Sequence, residues 1–563
     1  MKHSDSKNLW ADILLWILPV LLVIPNIALC FTEHTYSGLD CAVNIVLPLG
    51  VYGLLCAVSS NIGRTALLFF PVMILCAFQL VLLYLYGNSI IAVDMFLNVA
   101  TTSFSEAYEL LVNLWPAVVA VCVLYLPPVI AGIILCVAGA RSGKVPRHII
   151  LVGGIVLSAL GAVMLLIAFF TQDGYKPQRK LFPVNVIANM AYAVDRTVQT
   201  KHYDSNSAEF SFGAVCERDA DTPEIYVMVV GETSRAGNWQ LGGYSRPTNP
   251  HLSQRPGLVF FSKALSESNT THKSVPLMLS HLSAAEFRDS IYCSKGIVAA
   301  FSEAGYSSAW ISSQKRNHSL IDFFGSQADT TEFITDDGHS HLDEELCDRL
   351  KAFLDAPGAR KRFVVIHTYG SHFSYRDRYP AAYTDFTPDR YSGASASCRS
   401  ELVNAYDNTI VYTDAVLDSI ISVIESYGVP SALVYAADHG EDIFDDSRER
   451  FLHASPVPTA RQLHVPMFVW MSASYRREHP DKYGGAIANS GKEVSTSRSV
   501  FHTLLSLAGI QTPESDESAA LDGVAYREQA RVYLNDRDEA VSLPDCGMGK
   551  EDVDYFLHAR IRP

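Results

Sequence analysis

Three short apolar runs in the second half of the chain end in residues that can bind a metal or move a proton. EIYVMVV is followed by Gly231, Glu232 and Thr233, RFVVIHTYG by Ser371 and His372, and SALVYAA by Asp438, His439, Gly440 and Glu441. His453 and His464 come shortly after the third run. Carboxylate plus imidazole, without cysteine, is the ligand set of a hydrolytic type of zinc site rather than a structural one. Zinc lowers the pKa of an oxygen it binds, which makes a hydroxyl nucleophilic near neutral pH. Each residue alone is more often structural. Their joint placement at run ends, with 15 of the 18 histidines beyond residue 171, points to one metal site.

A scaffold must bring these distant ends together. From residue 223 onward, β-branched runs alternate with helical patterns, which predicts a mostly parallel central sheet flanked by helices. In open sheets of this kind, ligands bind just beyond the carboxyl ends of the strands. Clusters far apart in sequence are therefore expected to converge on one site.

The first third of the chain has a different character. Overall the 563 residues are 49% hydrophobic and 18% charged, which excludes disorder and an ordinary soluble enzyme. Residues 1–171 carry 6 Lys+Arg and 7 Asp+Glu, leaving 38 and 52 for the remainder. That acidic remainder argues against nucleic acid as a partner. Five apolar stretches, Ile13–Phe31, Cys41–Val58, Thr65–Tyr86, Leu114–Ala138 and Ile149–Phe170, are long enough to cross the hydrocarbon core. The first is too long in its apolar core for a cleavable signal peptide, and four more follow it. Lys2, Lys7, Arg64, Arg141, Lys144 and Arg147 all flank the same side, which predicts a cytoplasmic N-terminus and residues 172–563 outside the cytoplasm. The expected organisation is a five-helix membrane domain over 1–171, a bridge over 172–222 and a catalytic α/β domain over 223–563. Within the bridge, PVNVIANMAYAVDRTV has the spacing of a helix lying on a membrane surface. In the long loop 87–113, Asn98, Thr102 and Glu106 recur at i, i+4 and i+8 and so share one helix face. That face either holds a lipid headgroup, with Glu106 suited to a cationic amine, or is simply solvated.

GETSRAGNWQLGGYSRPTNP (231–250), THKSVPLML (271–279), HTYGSHFSYRDRYP (367–380), AYDNTIVYTDAVL (405–417), ADHGED (437–442), FLHA (451–454) and HVPMFVW (464–470) occur in this order. Together with the spans and the loop, they resemble the phosphoethanolamine transferases of the alkaline-phosphatase/sulfatase superfamily. That family includes the mobile colistin-resistance enzymes. The resemblance implies an inner-membrane protein with a periplasmic, sulfatase-like catalytic domain. It implies zinc held by Glu232, Thr271, Asp438 and His439, with Thr271 the nucleophile rather than Thr233 or the adjacent Thr270. His372 and His453 match histidines that hold the phosphoryl group or a second metal, and Asn98, Thr102 and Glu106 match the face that contacts the lipid headgroup. The implied reaction moves phosphoethanolamine from phosphatidylethanolamine to Thr271, releasing diacylglycerol, and then to lipid A, lipopolysaccharide core or another envelope glycan.

Two features depart from the pattern. The segment SESNTTHKSVPLML lacks the cysteines that bracket the nucleophile in lipid-A-directed members, and WISSQKRNHS is closer to members acting on core sugars. The 11 cysteines do not form a recognisable disulfide framework, six lying in or at the ends of the spans. A sulfatase would need Cys or Ser in a C/S-x-P-x-R context, which TTHKSVPLM lacks. A phosphoglycerol transferase or a hydrolase acting on envelope lipids is the alternative activity, and a catalytically dead membrane sensor is a further one.

Overall fold

The computed structural model describes residues 2–33, 36–87, 90–101, 114–172, 175–337, 339 and 341–562. The chain forms two units, one of Met1–Phe96 with Leu110–Val194, the other of Leu97–Glu109 with Asp195–Pro563.

In the first unit, α1 (Lys2–Thr32), α2 (Gly38–Val58), α6 (Trp115–Val137) and α7 (Lys144–Thr171) are each long and apolar enough to cross a membrane. A bent pair, α3 (Ile62–Leu68) and α4 (Phe70–Tyr86), is apolar enough to make up a fifth span when its two helices are taken together. The 53° bend lies at Phe69, beside Pro71, whose ring and missing N–H interrupt the helical hydrogen bonds. α2 and α7 pack backbone to backbone: a Cβ on Gly50 would lie 2.4 Å from Ser158 N, and one on Gly161 2.6 Å from Leu47 Cα. Small residues permit that approach, and van der Waals contact then drives association where no hydrophobic effect exists. Asn98 lies on α5 (Val93–Thr101), whereas Thr102 and Glu106 fall outside the described residues. Along α8 (Val184–Lys201), Val184, Ile187, Met190, Val194 and Val198 form an exposed apolar stripe, the pattern expected of an interfacial helix.

The second unit is built on a seven-stranded sheet. Its strands are β1 (Glu224–Gly231), β2 (Leu258–Phe260), β3 (Ser307–Ser312), β4 (Thr330–Phe333), β5 (Lys361–His367), β6 (Ser431–Ala437) and β7 (Met467–Met471). They lie in the order β2-β7-β6-β1-β5-β3-β4. β6, β1, β5, β3 and β4 are mutually parallel, and β7 runs antiparallel to both β6 and β2. β1, β5 and β6 are buried along their whole length, so their sequences read as unbroken apolar runs. The three runs singled out in the sequence are thus neighbours, with β1 between β5 and β6. Trp310, Tyr226, Phe301, Phe363 and Met467 belong to the core cluster around this sheet.

Candidate functional site

Glu232 follows β1, and Asp438 and His439 follow β6, so the β1–β6 pairing alone brings these three side chains together. Their ligand atoms lie within 4.8 Å of one another, and all three residues are buried. Thr271 is the first residue of α9 (Thr271–Leu279), with Thr270 at the N-cap. Its hydroxyl lies 3.1 Å from Glu232 Oε1 and 3.1 Å from His439 Nε2. Thr270 instead turns its hydroxyl to Ser268 Oγ at 3.1 Å. Positive partial charge from the first turn of α9 falls on the Thr271 oxygen.

The donor chemistry shows what this cluster is built for. His439 Nδ1 lies 2.9 Å from the Gly440 carbonyl, an acceptor only, so Nδ1 carries the ring proton and Nε2 presents a lone pair. That lone pair faces Asp438 Oδ2 at 3.2 Å and Glu232 Oε1 at 3.5 Å. Asp438 Oδ1 accepts the backbone N–H groups of Thr233 and His439, whereas Oδ2 is buried without a hydrogen-bond partner. The one proton of Thr271 cannot satisfy all of these acceptors, and a cation at their centre can. Two carboxylates, one imidazole and one hydroxyl suit zinc. Burial pushes Asp438 up to about 7 and raises Glu232, on which the Asp438 charge acts further, while burial lowers His439. A cation would offset the cost of ionising these buried carboxyls.

His453 and His372 border the cluster. The ring of His453 is 4.1 Å from that of His439 and 6.1 Å from that of His372. Glu441 Oε2 lies 3.4 Å from His453 Nδ1, and Tyr375 donates to the other Glu441 oxygen. His372 Nδ1–H donates to the Phe373 carbonyl at 2.6 Å. His464 is employed elsewhere, between the Ser262 carbonyl and the Tyr555 hydroxyl.

Sequence reasoning missed the residues that orient these groups. Gln314 Nε2, just past β3, donates to Glu232 Oε2 and to the Thr368 carbonyl, each at 3.0 Å. Thr233 has φ 55°, unusual for a β-branched residue, and its hydroxyl donates to Glu232 Oε1 at 2.8 Å. The Tyr406 hydroxyl, on α10 (Arg399–Ser426), donates to the Thr233 carbonyl at 2.8 Å and accepts the Arg235 N–H at 2.9 Å. Asp407, beside it, accepts from Asn238, Tyr244 and Arg246, which ties the 231–250 and 405–417 segments together. Gly370 (φ 55°) passes so near Glu232 that a Cβ there would lie 2.6 Å from its carbonyl. The Asp343 carboxylate pins this turn by accepting the Tyr369 and Gly370 N–H groups. The only sequence signal for Gln314 was the WISSQKRNHS stretch, and Asp343 had none.

Fold and site define a class: an α/β protein preceded by helices long and apolar enough to cross a membrane, with a buried acid–histidine metal-type centre at the carboxyl ends of parallel strands. The chain belongs to the sulfatase family, whose model matches residues 224–510, half of its length. It is 30% identical over 302 residues to phosphoethanolamine transferase EptA of Salmonella typhimurium, covering 52% of this chain and 54% of that one. The chain spans about half the length of the curated relatives it matches. The integral membrane lipooligosaccharide phosphoethanolamine transferase A of Neisseria meningitidis shares its fold, with a TM-score of 0.71 and 22% identity over 90% of this chain and 97% of that one. The zinc complex of the C-terminal periplasmic domain of Escherichia coli EptC has a TM-score of 0.54 and 23% identity, covering 60% and 97%.

Proposed function

We propose that this protein transfers phosphoethanolamine from phosphatidylethanolamine, through an ester on Thr271, to lipid A, lipopolysaccharide core or another envelope glycan. The observation that carries this reading is the placement of the Thr271 hydroxyl 3.1 Å from both Glu232 and His439, on a convergence of lone pairs that calls for a cation. The names of the relatives matched over the catalytic half supply the transferred group.

Glu232, Asp438 and His439, with Thr271 as the fourth group, would hold zinc, which when bound supplies the positive charge that lowers the pKa of an adjacent hydroxyl. Thr271 gives up its proton and its oxygen attacks phosphorus. The bond from phosphorus to the diacylglycerol oxygen breaks, and diacylglycerol leaves with a proton. An acceptor hydroxyl oxygen then attacks the phosphorus of the phosphoethanolamine–Thr271 ester, the bond from phosphorus to the Thr271 oxygen breaks, and the acceptor's proton passes to Thr271. His372 and His453, whose rings lie 6.1 Å apart beside His439, would hold the phosphoryl oxygens as imidazolium donors or bind a second metal through their ring nitrogens. The α9 N-terminus favours the negative charge that develops on Thr271. Gln314 and Thr233 fix the Glu232 carboxylate, so the attacking oxygen is positioned before substrate arrives.

The first unit would be an inner-membrane anchor, its N-terminus cytoplasmic and the catalytic unit periplasmic. Asn98, Thr102 and Glu106 would contact the donor headgroup. Incubation with headgroup-labelled phosphatidylethanolamine tests the whole reading: label should transfer to an envelope lipid acceptor and diacylglycerol should appear. Release of free phosphoethanolamine with no acceptor product would favour a hydrolase.

A further inference from the structure

Cys30 lies near the end of α1 and Cys41 in the first turn of α2, on either side of the short connection between these helices. Cys30 Sγ is 3.7 Å from the Cys41 carbonyl oxygen, and Cys41 Sγ is 3.8 Å from the Cys30 carbonyl oxygen. This reciprocal approach sets each sulfur against the other residue's backbone, so the two side chains lie side by side between α1 and α2. A disulfide needs Cα atoms about 4.4–6.8 Å apart. The other thiols recorded in contacts have other neighbours: Cys76 donates to the Leu22 carbonyl, and Cys216 lies 3.0 Å from Lys361 Nζ. Both Cys30 and Cys41 are partly exposed.

We propose that Cys30 and Cys41 form a disulfide that staples the outer ends of α1 and α2. The proposal rests on the topology given above, in which the α1–α2 connection faces the oxidising side of the membrane. One thiolate attacks the disulfide of a dithiol oxidant and forms a mixed disulfide. The second thiolate then attacks that bond. The pair loses two protons and two electrons, an S–S bond forms, and the oxidant leaves as its dithiol. The staple lies beside a polar network that it would hold in register. Asn26 Nδ2 donates to Asn44 Oδ1 at 2.8 Å, and Asp40 pairs with Lys180 at 2.8 Å. These contacts seat the 180–182 segment, since Asn26 also donates to the Phe182 carbonyl at 2.8 Å.

The test uses the full-length protein, denatured directly from membranes in N-ethylmaleimide and digested with chymotrypsin, which can cut after Phe31, Tyr36 and Leu39 and so separates the two cysteines. A second sample is purified, reduced and then exposed to oxidised glutathione before the same treatment. The expected result is a Cys30–Cys41 peptide pair in both samples that separates on reduction, with an unfolding midpoint that falls on reduction in the wild type and not in Cys30→Ser/Cys41→Ser. Maleimide on both cysteines in both samples overturns the proposal on geometry. A bridge in the glutathione sample alone overturns it through the membrane orientation and leaves the pairing geometry intact.

Discussion

Thr271 Oγ1 and His439 Nε2 lie 3.1 Å apart although 168 residues separate them in the chain. The contact exists because β1 and β6 are adjacent and α9 starts beside their carboxyl ends. Since Nδ1 of His439 is committed to the Gly440 carbonyl, Nε2 must meet Thr271 as an acceptor or a ligand.

Removing a carboxylate from the cluster should remove the metal. Glu232→Ala and Asp438→Ala are each expected to lose bound zinc together with transfer activity, read by elemental analysis of purified protein. Stoichiometric zinc in the double variant would contradict the ligand assignment.

Removing an orienting partner should weaken the metal site without abolishing it. Gln314→Leu leaves the Glu232 carboxylate short of one donor, and zinc affinity should fall about 10–100-fold. Competition with a chelator measures this, and an unchanged affinity would reduce Gln314 to a packing role.

Tyr406→Phe tests the support of Thr233. It strips the donor from a buried carbonyl and should cost about 1–3 kcal/mol in unfolding free energy. Denaturant unfolding of the variant beside the wild type gives the value.

Asp438 contributes to the pH dependence of the metal-free protein in the same direction as Asp442, Asp414 and Glu267, which burial also raises. Burial disfavours the charge and pushes the Asp438 carboxyl up to about 7 in the folded protein, against 3.8 for an exposed aspartate. Between these values the folded state binds more protons than the unfolded one, so this carboxyl makes stability fall as pH rises from about 4 to about 7. The stabilisation gained on adding zinc should grow over the same window. Thermal unfolding with and without zinc across that range reads both slopes.

The sequence made the large-scale architecture legible because it depends on long apolar runs. The long apolar helices and the adjacent buried strands β1, β5 and β6 are patterns of many residues, and Glu232, His372, Asp438 and His439 stand out because polar residues end such runs. The antiparallel β7 was not read, since a strand buried on both faces carries no mark of direction. The supports at Gln314, Tyr406 and Asp343 were also hidden. Each is a common residue whose role depends on a partner 82, 173 or 27 residues away, and a single chain shows no such pairing. The bend at Phe69 was legible as well, because Pro71 inside an apolar span predicts a kink without arguing against insertion.

The oxygen that carries the transferred group decides the mechanism. Wild-type protein incubated with phosphatidylethanolamine in the absence of acceptor, then digested and analysed by mass spectrometry across residues 264–283, should carry phosphoethanolamine on Thr271. Thr271→Ala should lose both the adduct and diacylglycerol release, whereas Thr233→Ala, Thr270→Ala and Ser274→Ala should each retain some of both. An adduct on Thr270, or full turnover by Thr271→Ala, would contradict the account.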